Sequence, residues 1–323
     1  MKQLFCGIMG LLALNASAAK LSEPVAFTET CDASAAFALS GDLFVVANDE
    51  DSVLRFYRFS QPGSPVQKFD LGPLFSTKRK APELDLEGVA RLGNEAYFIT
   101  SHGRNAAGKE APARHQFFAL TLTETNGAVA LQPAGKSYTN LVTDLSRHPK
   151  YALFDLADAA GLAPKSPGGF NIEALAATPE GTLLIGFRSP IPEARALVVT
   201  LLNPTVVIQG KPPEFGSPIL LDLGGLGLRD MCATTNGYYL LAGSAAGGGE
   251  SRLYFWGGGV GVPRAISNAR FVGSNPEGIC YLDFGTGSDY LILSDDGTRK
   301  ISGKECKTLP EAQRQFRAYR FSP

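Results

Sequence analysis

The sequence predicts an all-β protein, a β-propeller with five recognisable four-stranded blades and a sixth possible, on three observations. One unit recurs five times: an acidic residue, a short strand, a Gly or Asn turn, a second strand, a variable loop, then a third strand of β-branched and aromatic residues. The acidic positions Asp32, Glu87, Glu173, Asp230 and Glu277 are separated by 55, 86, 57 and 47 residues, and periods of this size carrying about four strands mark propeller blades. Glycine at 36 and proline at 21 of 323 residues suit a chain with many tight turns.

The first copy runs from Asp32 through a turn at Gly41-Asp42 to the strands Leu43–Ala47 and Val53–Phe59. The second runs from Glu87 through Gly93-Asn94 to Ala96–Thr100, then through a long polar loop to Gln116–Leu120. The third places Glu173 before Leu183–Gly186 and Ala196–Val199, and the fourth places Asp230 before Tyr238–Leu241, a glycine-rich loop and Arg252–Trp256. The fifth leads from Glu277 through Tyr290–Ser294 to Phe316–Phe321 at the end of the chain. The 86-residue interval exceeds one blade and contains a helical stretch near residues 146–161, read as an insertion, with a hidden sixth blade as the alternative. Pro24–Phe27 is placed to pair with the last blade and latch the ring, since no single blade can bury both faces.

The domain is expected to span 20–323, because residues 1–19 read as a cleaved secretory signal. Lys2 precedes an apolar run too short to cross a bilayer, and Ala16-Ser17-Ala18-Ala19 supplies small residues at a cleavage site. The expected location is periplasmic or extracellular, with no later membrane span. Four cysteines then remain, Cys31, Cys232, Cys280 and Cys306, and an oxidising compartment allows two disulfides in three connectivities. Cys280 with Cys306 would staple the C-terminal unit, leaving Cys31 with Cys232. A net charge of -1 provides no basic field for nucleic acid. A monomer is expected.

In a propeller the starts of the innermost strands and the ends of the second strands share one face. The five acids are therefore expected to ring the channel mouth, with Asp49, His102, Arg188, Ser244 and Asp296 just outside and Asp295 beside the last of these. Five like charges raise one another's pKa and require compensation. Calcium, which takes six to eight oxygen ligands, would supply it; so would Arg104, Arg188 or Arg229. The alternative is that each acid merely caps a strand start by accepting backbone N–H bonds. The loop Ser101–Glu110, continuing to Arg114-His115, has no counterpart in the other copies. From it His102 is a candidate general base, and Arg104, Lys109 and Arg114 candidates for holding an anionic group. No phosphate-binding loop, G-x-S-x-G elbow or H-E-x-x-H helix occurs, so no nucleotide cofactor is expected.

The segments Leu84–Arg91, Ser101–Glu110, Phe170–Ala176 and Asn275–Ile279 resemble the bacterial domain-of-unknown-function family 3616. More distantly, the D-x-E-G pieces are similar to esterase-like phytase propellers. The resemblance implies an exported propeller and, from the phytase side, calcium and hydrolysis of phosphoesters or esters. The sequence departs from D-x-E-G at Asn171-Ile172-Glu173-Ala174, at Asp230-Met231 and at Asn275. The combined expectation is a divalent-cation-dependent hydrolase acting on a small anionic or ester ligand. His102, Arg104 and Arg188 would be catalytic; Asp49, Lys109, Arg114, Asp295 and Asp296 would bind substrate. The rival expectation is a propeller that binds a sugar, peptide or protein without chemistry.

Overall fold

Five antiparallel sheets stand around a common axis in the computed structural model, which describes residues 19–75, 83–125, 128–284 and 288–323. The expected signal segment, apart from Ala19, lies outside them. Two short N-terminal strands, β1 (Lys20–Leu21) and β2 (Val25–Thr28), precede the first blade, β3 (Ala33–Ala38), β4 (Leu43–Asn48), β5 (Val53–Arg58) and β6 (Gln67–Asp70). The second blade is β7 (Leu86–Leu92), β8 (Glu95–Thr100), β9 (Phe117–Thr125) and β10 (Ala128–Tyr138). The third is β11 (Asn171–Ala177), β12 (Leu183–Ser189), β13 (Ala196–Leu201) and β14 (Ile219–Leu221). The fourth is β15 (Gly227–Thr234), β16 (Gly237–Gly243), β17 (Arg252–Trp256) and β18 (Arg264–Ala265). The fifth takes β19 (Pro276–Asp283) and β20 (Ser288–Ser294), and after the hairpin β21 (Lys300–Ile301) and β22 (Lys304–Glu305) it adds β23 (Gln315–Ser322).

The outermost places of this last blade are filled from the other end of the chain. β2 pairs with β23 from Val25 opposite Ala318 to Thr28 opposite Gln315, and β1 adds Lys20 opposite Ser322. The predicted latch therefore forms, and Phe27 on it is fully buried against Phe44, Tyr57 and Phe316.

Side-chain alternation explains why the ring must close. Successive residues of a strand point to opposite faces, and every second strand here buries both. On β8, Tyr97 and Ile99 pack towards the third blade while Ala96 and Phe98 pack towards the first. On β16, Leu240 and Ala242 face the third blade while Tyr239 and Leu241 face the fifth. The buried apolar residues accordingly fall into five clusters, one at each seam between neighbouring blades. Near the axis the seams leave room only for small residues. A Cβ on Gly88 would lie 2.9 Å from the Leu175 Cβ and 3.0 Å from its backbone nitrogen.

Among the described residues the long interval holds no sixth blade. β9 and β10 form an extended hairpin, and helical turns then pass Leu141–Arg147, Pro149–Phe154 and Leu156–Ala160. The helical insertion begins earlier than the expected 146–161 and is broken twice. Pro149 ends the first helix, since the residue before proline is biased out of helical geometry, and Asp155 adopts a left-handed conformation. Leu141, Leu145, Tyr151 and Leu156 bury its inner side against the seam between the second and third blades.

The expected disulfide pairing is corrected. Cys31 bonds Cys306, while Cys232 and Cys280 are buried free thiols in the fourth and fifth blades. Ring closure carries Cys31 at the start of the first blade beside the 3₁₀ turn Cys306–Thr308 of the last. Proximity in sequence is the wrong guide to this bond.

Candidate functional site at the channel mouth

In the first, second, fourth and fifth blades the innermost strand slips register by one residue against its second strand at the same level, and in the third two opposite shifts cancel, leaving Ser34, Glu87, Glu173, Arg229 and Glu277 unpaired in the ladder, with Arg188 unpaired opposite Glu173. Such a bulge re-aims the side chain it displaces. The ring of equivalent positions is thus serine, glutamate, glutamate, arginine, glutamate, and not five acids. Asp32 stands two residues before its blade's bulge, level with Asp85, Asn171, Gly227 and Asn275. Asp230 stands one residue after its bulge and does not join the ring. Its carboxylate accepts from the backbone N–H groups of Met231 at 2.8 Å and Ile279 at 2.7 Å, which is the strand-capping alternative.

Blades three to five neutralise themselves. Arg188 Nη1 donates to Glu173 Oε1 at 2.5 Å and its Nε to the Ser244 carbonyl at 3.0 Å. Arg229 Nε lies 3.1 Å from Glu173 Oε2, and its other end pairs with Glu277. Asn171 Nδ2 donates to Glu173 at 2.6 Å and Asn275 Nδ2 to Glu277 at 3.0 Å. Of the three arginines considered as internal counter-charges, Arg188 and Arg229 serve and Arg104 does not.

Blades one and two are different. Asp49, at the end of β4, and Asp85 and Glu87, around the bulge of β7, each bring a carboxylate oxygen to within 4.8 Å of the others. Among the described residues neither Asp49 nor Glu87 has an ion-pair partner, and Asp49 Oδ1 is enclosed with no hydrogen bond. Burial, reinforced by the neighbouring acids, pushes both carboxyls well above their ordinary range. Asp85 accepts from Arg114 Nη1 at 2.8 Å and from the Ser101 hydroxyl, yet burial still raises it to about 6. Its φ of 60° lies in the left-handed region, which aspartate tolerates better than most residues. Asp32, beside Asp295, is raised to about 7, first by burial and then by Asp295 and Glu50. A Cβ on Gly297 would lie 1.8 Å from an Asp32 carboxylate oxygen, so any larger residue in that turn would displace the carboxylate.

Folded-state values above the ordinary carboxylate value mean that the folded protein holds these protons more tightly than the unfolded chain. The resulting stabilisation is complete below the ordinary value and is lost as pH rises through about 7 for Asp32 and about 6 for Asp85. In chelator, the melting temperature is therefore expected to rise as pH falls from about 8 to 6.5, and Asp32→Asn should flatten that profile. A scanning-calorimetry series in which melting temperature falls over this interval would contradict the site's electrostatics.

The remaining predicted residues are dispersed into supporting contacts. His102, 1% exposed, directs Nδ1 to the Thr100 carbonyl at 2.9 Å, and burial lowers its pKa to about 3. Its Nε2 is enclosed without a partner, so no solvent-borne substrate reaches it. Arg104 ties the long loop to the helical insertion through the Ala160 carbonyl at 3.0 Å and the Gly108 carbonyl at 3.2 Å. Lys109 is exposed on that loop, and Arg114 pairs with Glu83 as well as Asp85. Asp296 is held by Arg317 at 2.7 Å, and Asp295 accepts from Gly297 N at 2.8 Å and from Asn275 at 3.1 Å. The expected trio His102, Arg104 and Arg188 is not assembled. Sequence reasoning missed Asp85 because it followed the glutamate of D-x-E-G; the recurrence of Asp or Asn two residues before that glutamate was the available signal.

Five blades, a strand latch and a mouth of bulged inner strands define the class: a five-bladed β-propeller with an asymmetric, carboxylate-bearing channel mouth. Residues 114–291 match the family described as protein of unknown function, DUF3616. With more than half of its length matched, the chain belongs to that family. No curated protein matches it. Similar solved structures include a putative oxidoreductase (glucose dehydrogenase) from Thermus thermophilus, 14% identical with a TM-score of 0.49, covering 94% of this chain and 100% of that one. The PQQ-bound aldose sugar dehydrogenase of Streptomyces coelicolor is 10% identical with a TM-score of 0.46, over 94% of this chain and 98% of its own. An exo-β-1,3-galactanase from Phanerochaete chrysosporium is 11% identical with a TM-score of 0.45, over 95% of this chain and 64% of its own. Similarity this low carries no inference about activity.

Proposed function

We propose that the protein is an exported propeller that holds a hard divalent cation, calcium in the first place, at its channel mouth and through it binds a small anionic ligand. One observation carries this reading: Asp49, Asp85 and Glu87 converge within 4.8 Å, while the mouth's other two glutamates are matched by arginines. An all-oxygen donor set suits calcium. Asn171 supports it further, since its Oδ1 is buried without a partner at the blade position that Asp85 occupies. The Cys31–Cys306 bond suits an oxidising compartment and so supports export.

A cation at this place would polarise a phosphoryl or carbonyl oxygen of a bound ligand. The chain's own contribution is to fix the three carboxylates, with Arg114 and Arg188 held beside them. Binding without turnover is the better-supported form, because each of the three expected catalytic side chains is occupied by, or enclosed within, structural contacts.

The test is calcium titration by calorimetry with parallel thermal unfolding. Calcium at about 100 times its dissociation constant should stabilise the protein by about 2.7 kcal/mol. Glu87→Gln should abolish both signals, and failure of the unsubstituted protein to bind calcium or magnesium overturns the proposal. Calcium-dependent hydrolysis of p-nitrophenyl phosphate or acetate, absent in Glu87→Gln, would make the protein an esterase.

A further inference from the structure

A second concavity lies at the seam between the fourth and fifth blades, and its inner end reaches Asn275 and Asp295 at the mouth. Its volume is about 850 Å³, within the range of small-molecule sites, which are roughly 300–1,000 Å³. Four arginines line it: Arg252, Arg270, Arg299 and Arg317. Arg317 and Arg299 together neutralise Asp296, at 2.7 and 3.4 Å, and Asp295 at the inner end is bound by Asn275 and Gly297. Arg252 and Arg270 are exposed and form no ion pair among the described residues, against one remaining acid, Glu250 on the glycine-rich loop. Arg299 also encloses an Nη2 donor that has no hydrogen-bond acceptor.

Arginine presents a planar fork of donors that fits carboxylate and phosphate oxygens. The rest of the wall is rich in hydroxyl groups, from Ser251, Ser267 and Thr298, with half-buried Phe271 offering one apolar face. We infer that this seam is a binding site for a small polyhydroxylated anion, a sugar acid or sugar phosphate. The anion would sit between the exposed Arg252 and Arg270, with its hydroxylated body along the serines. The inference extends beyond the cation at the mouth and does not depend on it.

The test uses the full chain in chelator, so that the cation site makes no contribution, and titrates glucose 6-phosphate, glucuronate and neutral glucose by calorimetry. At least one anionic sugar should bind and glucose should not, with a preference between the two anions identifying phosphate or carboxylate as the recognised group. Arg252→Gln combined with Arg270→Gln, both exposed positions, should weaken binding at least about tenfold with an unchanged melting temperature. The inference is overturned if neither anionic sugar binds, if glucose binds equally well, or if the double variant binds like the unsubstituted protein.

Discussion

Replacing Arg229 by methionine should destabilise the folded protein by about 3–5 kcal/mol, the usual cost of leaving a buried charge without its partner. Arg229 is 4% exposed and is the shared counter-ion of Glu173 and Glu277, one from each neighbouring blade. Its loss would leave Glu277 with only the Asn275 amide and Glu173 with Arg188 alone. Denaturant titration measures the effect. The diagnostic arm is Glu277→Gln in the Arg229→Met background: it should recover part of the loss, because a neutral amide needs no counter-charge. If Arg229→Met changes stability by less than about 1 kcal/mol, the network is not the buried ion cluster described here.

Reduction of the Cys31–Cys306 bond should cost about 3–5 kcal/mol, because the bond closes one of the longest loops the chain allows. The sequence separation is 275 residues, and both cysteines are fully buried. Cys31→Ser with Cys306→Ser should lower the melting temperature by several degrees, about 2–4 °C per kcal/mol in a protein of this size or somewhat less. Added reductant should reproduce the shift in the native protein and leave the double variant unaffected. A double variant that melts with the native protein would show that the β2–β23 pairing alone secures the ring.

The blade count and order were legible because second strands buried on both faces read as continuous apolar runs bounded by glycine turns, as in Leu43–Ala47 and Tyr238–Leu241. The mouth was legible in the second, third and fifth blades, where a glutamate occupies the bulge. It failed in the first and fourth, where the bulge residues are Ser34 and Arg229 and the nearest acid stands two residues before the one and one residue after the other. A shift of one residue turns a strand side chain to the other face, which is why Asp230 caps backbone amides between blades. The three converging carboxylates were partly legible: Asp49 and Glu87 stand out in the repeat, but Asp85 does not. His102 draws notice because histidine is rare in this chain, and rarity says nothing about burial. The disulfide follows from closure of the ring, a long-range property no local spacing encodes.

The pairing of β1 and β2 with β23 also bears on the order in which the chain can fold. The second, third and fourth blades are each built from one continuous stretch, and each seam between them joins neighbours in sequence. The last sheet needs β2 near residue 25 and β23 beyond residue 315, so its edge must wait until almost the entire chain has left the ribosome. Contacts of such separation are slow to form, because loop closure precedes any compensating burial. Until then the fifth blade and the first expose the apolar faces that Phe27, Tyr57 and Phe316 later seal. A nascent chain of this fold therefore carries an open, sticky seam until β23 has emerged, and that seam is where a holdase would engage it.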